Sequence, residues 1–183
     1  GPTSDDEIVA FYSGVAKGGL PIIGYNVPQV VGVAITPALL TKLCAIPEFC
    51  GVKDSSGDFT AQASLVRTGL GMMNGADPLT LYALYAGVGG LIWGGANFAP
   101  RTCVALVQAA GEKRWDDARE IWRALEPAMS LIWQGDYVKS VYAAADMVGY
   151  GAGAPRRPLS LLPSASLAPL RDAMAPLMDR EKL

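Results

Sequence analysis

Apolar positions along this chain fall into short blocks, and turn residues mark where one block's period gives way to the next. Ser4-Asp5-Asp6-Glu7 spells a capping box, with Ser4 set to bond the third amide and Glu7 to reach back to the first. Ile8, Phe11, Tyr12 and Val15 follow at helical spacing until Gly18-Gly19. Leu20 to Val27 is an apolar run of strand length, closed by Pro28. Thr36-Pro37 reads as an N-cap with proline at the first helical position, opening a helix that carries Leu39, Leu40, Leu43 and Cys44. Phe49 to Val52 predicts a short buried strand with Lys53 at its end and an Asp/Ser/Gly loop beyond. A helix near Thr60 to Thr68 comes next, then a short strand over Gly71 to Gly75. Asp77-Pro78 caps a helix from Leu79 to Tyr85, Gly90 to Gly95 reads as a strand, and a helix carries Val104, Leu106 and Val107.

Strand and helix thus alternate in units of roughly 20 to 30 residues, the spacing of βαβ units and a parallel sheet. From Arg114 onward the pattern is helical only. Trp115, Ala118, Ile121, Trp122, Leu125 and Met129 share one face, with Asp116, Asp117, Arg119 and Arg123 opposite. A helix near Tyr137 to Val148, a Gly/Pro-rich connector from Gly149 to Pro163, and a last helix near Ser166 to Met178 complete the chain. The tryptophans fit core or interface positions better than a binding box.

Composition narrows the chemistry. The 183 residues are 51% hydrophobic and 17% charged with net charge −2, which suits a globular chain with a sizeable core. Without a Lys/Arg-rich run, nucleic acid and anionic membrane are poor partners. No apolar stretch reaches the roughly 18 residues of a membrane span, and no signal-peptide pattern opens the chain. Cys44, Cys50 and Cys103 lack metal-ligand spacing, and an odd count argues against a pure disulfide framework, so a reduced, cytoplasmic protein without a metal site is expected. The absence of histidine removes Ser-His and Cys-His catalysis. Gly87-Val88-Gly89-Gly90 precedes a strand instead of opening a helix, so it is a turn and not a nucleotide motif.

Lys53 is the candidate that remains. A lysine at a rigid strand end, partly desolvated, stands as a catalytic amine would, although a lysine there also snorkels readily into solvent. Strand alternation puts Lys53 with Ser55, Ile23 with Tyr25, Met73 with Gly75 and Asp77, and Ile92 with Gly94. Tyr25, Lys53, Gly75 and Ile92 all fall near the ends of consecutive strands.

Several of these groups, taken in order, resemble the C-terminal half of the dihydrodipicolinate synthase / N-acetylneuraminate lyase family of class I, Schiff-base aldolases. Tyr25-Asn26-Val27-Pro28 matches the family's tyrosine strand and Gly51-Val52-Lys53-Asp54 its lysine strand, with Tyr25 and Lys53 the required 28 residues apart. Asn74-Gly75-Ala76-Asp77 and Gly90 to Asn97 match the last two barrel strands, and Gly153 to Leu159, with Arg156, Arg157 and Pro158, resembles the segment between the last helices. The resemblance implies an α/β fold of the (β/α)₈ TIM-barrel family. Residues 1–112 would be strands five to eight of the barrel, about four parallel strands with their helices, and residues 113–183 a C-terminal helical extension. The family's paired threonines, which hold the pyruvate carboxylate, would lie in the first half, so the chain is expected to be a fragment, a truncated product or half of a split enzyme.

The resemblance further implies that Lys53 forms an imine with pyruvate or another 2-oxo acid, that Tyr25 shuttles protons, and that an aldehyde is the second substrate. Gly75 and Ile92 would bring backbone close to the ligand, while Ser55, Asp77 and Gly94 would shape the substrate site; Ser55 and Asp77 serve equally well as loop or helix caps. No cofactor is implied beyond the covalent lysine–substrate imine, and a completed barrel would be a homo-oligomer, a tetramer or a dimer. Gln29, Val30 and Val31 stand where the synthases carry Gly/Ser-Arg-Thr, which argues against dihydrodipicolinate synthesis. Pro78 and Gly94 replace an acidic residue and a serine of the sialic acid lyases, which argues against a long polyol. A smaller or more apolar aldehyde is expected. The alternatives are a non-catalytic half-barrel that acts only within an assembly, and a 2-oxo-acid-binding regulator.

Overall fold

The computed structural model describes residues 4–181, so the outermost bounds of the two expected parts lie outside the described residues. Local signals account for most of the helix starts. α1 (Asp5–Ala16) opens on the capping box: the Ser4 amide donates to Glu7 Oε2 at 3.0 Å and the Glu7 amide to Ser4 Oγ at 3.3 Å. α2 (Pro28–Val31) is a single turn that the sequence reading did not foresee, started by proline and closed by Gly32 at φ 84°. α3 (Pro37–Leu43) is capped by Thr36, whose hydroxyl accepts from the Leu39 amide at 3.2 Å. Asp58 caps α4 (Phe59–Val66) through the Ala61 amide at 3.0 Å. Each such cap contributes about 1 kcal/mol.

Between these helices run β1 (Ile22–Asn26), β2 (Phe49–Asp54), β3 (Gly71–Asn74) and β4 (Gly90–Leu91), paired in parallel in the order β1-β2-β3-β4. The α/β class and the strict alternation expected from the sequence are present. One face of the sheet packs on helices: Val52 and Met72 meet Leu39, Leu40, Leu43 and Leu65 in a single buried cluster. The other face carries Ile23 and Tyr25, each about half exposed.

Two expectations are revised. The strand over Gly90 to Gly95 is only the two residues of β4, because the chain tightens into a 3₁₀ turn at Gly94–Asn97, held by the Asn97 side-chain amide donating to the Gly94 carbonyl at 3.1 Å. Asp77-Pro78 does not cap the next helix directly. Asp77–Leu79 forms its own 3₁₀ turn, and α5 (Thr80–Ala86) follows from Leu79.

The chain divides into two units, Gly1–Ile92 and Trp93–Leu183. The second unit consists of helices α6 (Pro100–Gly111), α7 (Trp115–Gln134), α8 (Tyr137–Met147) and α9 (Ser164–Glu181). Of the helical face predicted for α7, Ala118, Trp122, Leu125 and Met129 are buried and Trp115 and Ile121 partly so, while Ile132 extends it; α9 packs against α6, α7 and α8. α9 runs past the expected end at Met178 because Glu181, fully buried, accepts the Thr102 amide at 2.7 Å and the Arg101 amide at 3.1 Å. A carboxylate thereby satisfies the open amides at the start of α6.

Candidate active site

Register decides which side chains meet at the strand ends. Tyr25 pairs with Lys53, Lys53 with Met73, and Met73 with Gly90. The ladder continues past the strands, with the Ser55 amide donating to the Asn26 carbonyl at 2.9 Å, Gly75 to Asp54 at 2.7 Å and Ile92 to Asn74 at 2.9 Å. Lys53 Nζ stands 4.2 Å from the centroid of the Tyr25 ring, the geometry of a cation–π contact. Tyr25 is 50% exposed and Lys53 half-buried, so amine and phenol share the open face of the sheet.

Gly75 makes room for that pair. A Cβ there would lie 2.3 Å from Lys53 Cε and 2.2 Å from Ser55 Oγ, so a side chain would displace the lysine stem or the hydroxyl. Ser55 is 3% exposed, and its Oγ is buried without a hydrogen-bond partner among the described residues. A buried hydroxyl left unpaired costs about 1–3 kcal/mol, which a ligand oxygen or a water would recover. Lys53, Tyr25, Ser55 and Gly75 are therefore brought together. Ile92 reaches the same strand ends through its backbone bond, with its side chain 43% exposed. Asp77 is fully buried in its 3₁₀ turn, and Gly94 is buried in the second unit, where its carbonyl holds Asn97.

The loop after β1 is tied to this group. Gln29 Nε2 donates to the Ser55 carbonyl at 2.7 Å, leaving Val30 and Val31 exposed on α2. On the helix-packed side of the sheet, burial pushes the Tyr12 phenol up from its ordinary range, against a smaller lowering by the Tyr25 backbone.

The opposite face of the same strand ends holds what the sequence reading missed. Asn26, Asp54 and Asn74 are in register one residue beyond Tyr25, Lys53 and Met73, and all three are buried. Asn26 Nδ2 donates to Asp54 Oδ1 at 2.6 Å, and Asn26 Oδ1 accepts the Ile35 amide at 2.8 Å. From α4, Gln62 Nε2 donates to Asp54 Oδ2 at 3.1 Å and to Asn74 Oδ1 at 2.9 Å, while Ser56 Oγ donates to Asp54 Oδ2 at 3.1 Å. Asn74 Nδ2 then donates to the Ala76 carbonyl and to Thr80 Oγ1. A signal was present: an Asn or Asp stands next after Tyr25, Lys53 and Met73 and ends each of β1, β2 and β3.

Among the described residues, no cluster of three or more His, Cys, Asp or Glu is arranged to hold a metal ion, and no helix is long and apolar enough to cross a membrane. Compared with known proteins, residues 1–174 match the dihydrodipicolinate synthetase family. The 4-hydroxy-tetrahydrodipicolinate synthase of Methanospirillum hungatei JF-1 is 31% identical over 156 residues, which cover 83% of this chain and 54% of that protein. The enzyme of the same name from Archaeoglobus fulgidus is 34% identical over 143 residues, covering 76% and 50%. Among solved structures, a putative dihydrodipicolinate synthetase from Pseudomonas aeruginosa superposes with TM-score 0.88 at 25% identity, over 97% of this chain and 63% of that one. The chain spans about half the length of the curated relatives it matches.

Proposed function

The chain belongs to the dihydrodipicolinate synthetase family, and on that premise we propose that it carries the lysine of a Schiff-base aldolase or lyase joining a 2-oxo acid to an aldehyde. Residues 1–112 are the barrel half in this reading and 113–183 its helical extension. The observation that carries it is the meeting of the Lys53 amine and the Tyr25 ring, 4.2 Å apart on adjacent strand ends.

The neutral amine of Lys53 attacks the keto carbon of pyruvate, and loss of water leaves an iminium. A proton leaves C3 to give the enamine, whose carbon attacks the aldehyde carbonyl. Water then hydrolyses the iminium, releasing a 4-hydroxy-2-oxo acid and restoring the amine. Tyr25 carries protons to and from the reacting oxygens. Ser55 Oγ, buried and unpaired, donates to a substrate oxygen, and Gly75 lets the ligand lie against the backbone. The imine does the work a bound cofactor would otherwise do.

Val30 and Val31, 78% and 53% exposed, present apolar surface on the loop after β1. They favour a smaller or more apolar aldehyde over the charged semialdehyde used in dihydrodipicolinate synthesis. A second reading has its own support. Among the described residues β1 and β4 each pair on one side only, which suits a unit that works inside a larger, homo-oligomeric assembly.

Borohydride reduction of the full-length protein with pyruvate tests the first reading. A pyruvyl mass on Lys53, absent from Lys53→Ala, is the expected result. No adduct, or one that persists in Lys53→Ala, sinks the reading. An adduct without turnover of any aldehyde points to a 2-oxo-acid-binding regulator.

A further inference from the structure

The polar cluster behind the strand ends takes no part in the chemistry above, yet its side chains are bonded across three strands and α4. Asp54 is its hub. The carboxylate is fully buried, and the donors given to it are neutral: Asn26 Nδ2, Ser56 Oγ and Gln62 Nε2. Three separate elements meet on it, namely β1 through Asn26, the loop after β2 through Ser56, and α4 through Gln62. Gln62 extends the link to β3 with its second bond, to Asn74. That amide cannot be turned round, because Asp54 Oδ2 and Asn74 Oδ1 are both acceptors and Asn74 Nδ2 is already engaged. The fixed orientation leaves Gln62 Oε1 buried without a partner, a cost of the kind that a purely apolar filling would avoid.

The hub lies one residue from the site on every strand. Asn26 follows Tyr25, Asp54 follows Lys53, and the Asn26–Asp54 bond spans the same two strands as the Tyr25–Lys53 contact, from the opposite face. We propose that Asp54 is a positioning residue for the Lys53–Tyr25 pair: its buried carboxylate clamps the ends of β1, β2 and β3 and so sets where the amine stands over the phenol. The inference rests on the Schiff-base reading for its consequence and on the hydrogen-bond geometry for its mechanism.

A swap of donors and acceptors tests it. In Asp54→Asn alone, the new amide nitrogen must face either Asn26 Nδ2 or Gln62 Nε2, donor against donor. In the double variant Asn26→Asp/Asp54→Asn every bond is restored. The carboxylate at position 26 accepts from the Ile35 amide and from the new amide at position 54, whose oxygen still accepts from Gln62 and Ser56. The rate of pyruvate–borohydride trapping on full-length protein is measured at saturating pyruvate, well below each variant's unfolding midpoint. Asp54→Asn should lower that rate roughly 10- to 100-fold with a smaller change in the half-saturating pyruvate concentration, and the swap should bring it back to within about threefold of the parent.

A parental rate in folded Asp54→Asn overturns the proposal, as does a swap no faster than the single variant. If Asp54→Asn does not fold, the swap decides: folded with near-parental rate supports positioning, while slow trapping or failure to fold overturns it. If the parent protein forms no adduct, the Schiff-base reading has failed, and positioning is judged by acetylation of Lys53 with acetic anhydride, relative to exposed Lys17, by mass spectrometry. A ratio shifted in Asp54→Asn and restored in the swap supports the clamp; an unchanged ratio overturns it.

Discussion

The two faces of the same three strand ends are built on opposite terms. On the helix-packed side Asn26, Asp54 and Asn74 are buried; Asn26 bonds Asp54, and Gln62 of α4 bonds both Asp54 and Asn74. On the open side, Tyr25 and Lys53 touch ring to amine, and Ser55 Oγ has no partner among the described residues. Polar groups removed from water are costly unless paired, and on the closed face these side chains pair with one another except at Gln62 Oε1. On the open face Tyr25 and Lys53 keep part of their surface exposed, while Ser55 Oγ is buried. Alternation along the strand thus sends neighbouring residues to a bonded, buried face and to a partly exposed one.

The largest effect should come from closing the open face. Gly75→Ala places a methyl where Lys53 Cε and Ser55 Oγ now lie, so trapping of pyruvate on Lys53 should fall by about 10- to 100-fold, measured by mass spectrometry after borohydride. An unchanged rate would mean that the amine works from another position. Breaking the closed face should instead be read in stability. Asn26→Leu strips Asp54 Oδ1 and the Ile35 amide of their partner and should cost about 3 kcal/mol in urea unfolding. A loss under 1 kcal/mol would show that water replaces Asn26 there.

The smallest effect concerns Tyr12, whose phenol is held above its ordinary value of 10.0 by burial. The folded state keeps that proton more tightly than the unfolded chain does. Its contribution is therefore intact below pH 10 and is lost as pH rises from 10 through the folded value. Tyr12→Phe should flatten that alkaline part of the stability curve, followed as Tm against pH, and an unaltered slope would assign the alkaline loss to other groups.

Part of the candidate site was legible in the sequence, from local order and from the family resemblance together. Lys53 at the end of an apolar run is recognisable from periodicity, while Tyr25 and its 28-residue spacing to Lys53 gained their meaning from the resemblance to the family. Parity groups Gly75 with Met73 and Ser55 with Lys53, and the resemblance gave both a place near the ligand. Gln62 was invisible by the same logic. It sits on a helix, and a lone glutamine there reads as solvent-facing until tertiary packing turns it toward the ends of β2 and β3. The one-turn α2 and the Gln29 bond to Ser55 were likewise beyond reach, since both depend on where the loop after β1 lands.

The sequence by itself determined the alternation of strands and helices and the capping of α1 and α3, because each is encoded by neighbours within a few residues or by the period of a single element. Only the tertiary structure decided the length of β4, the extension of α9 to its buried Glu181, and the network joining Asn26, Asp54, Gln62 and Asn74. Those depend on registers and packing between segments far apart in the chain, where the identity of a side chain does not say which partner it will meet.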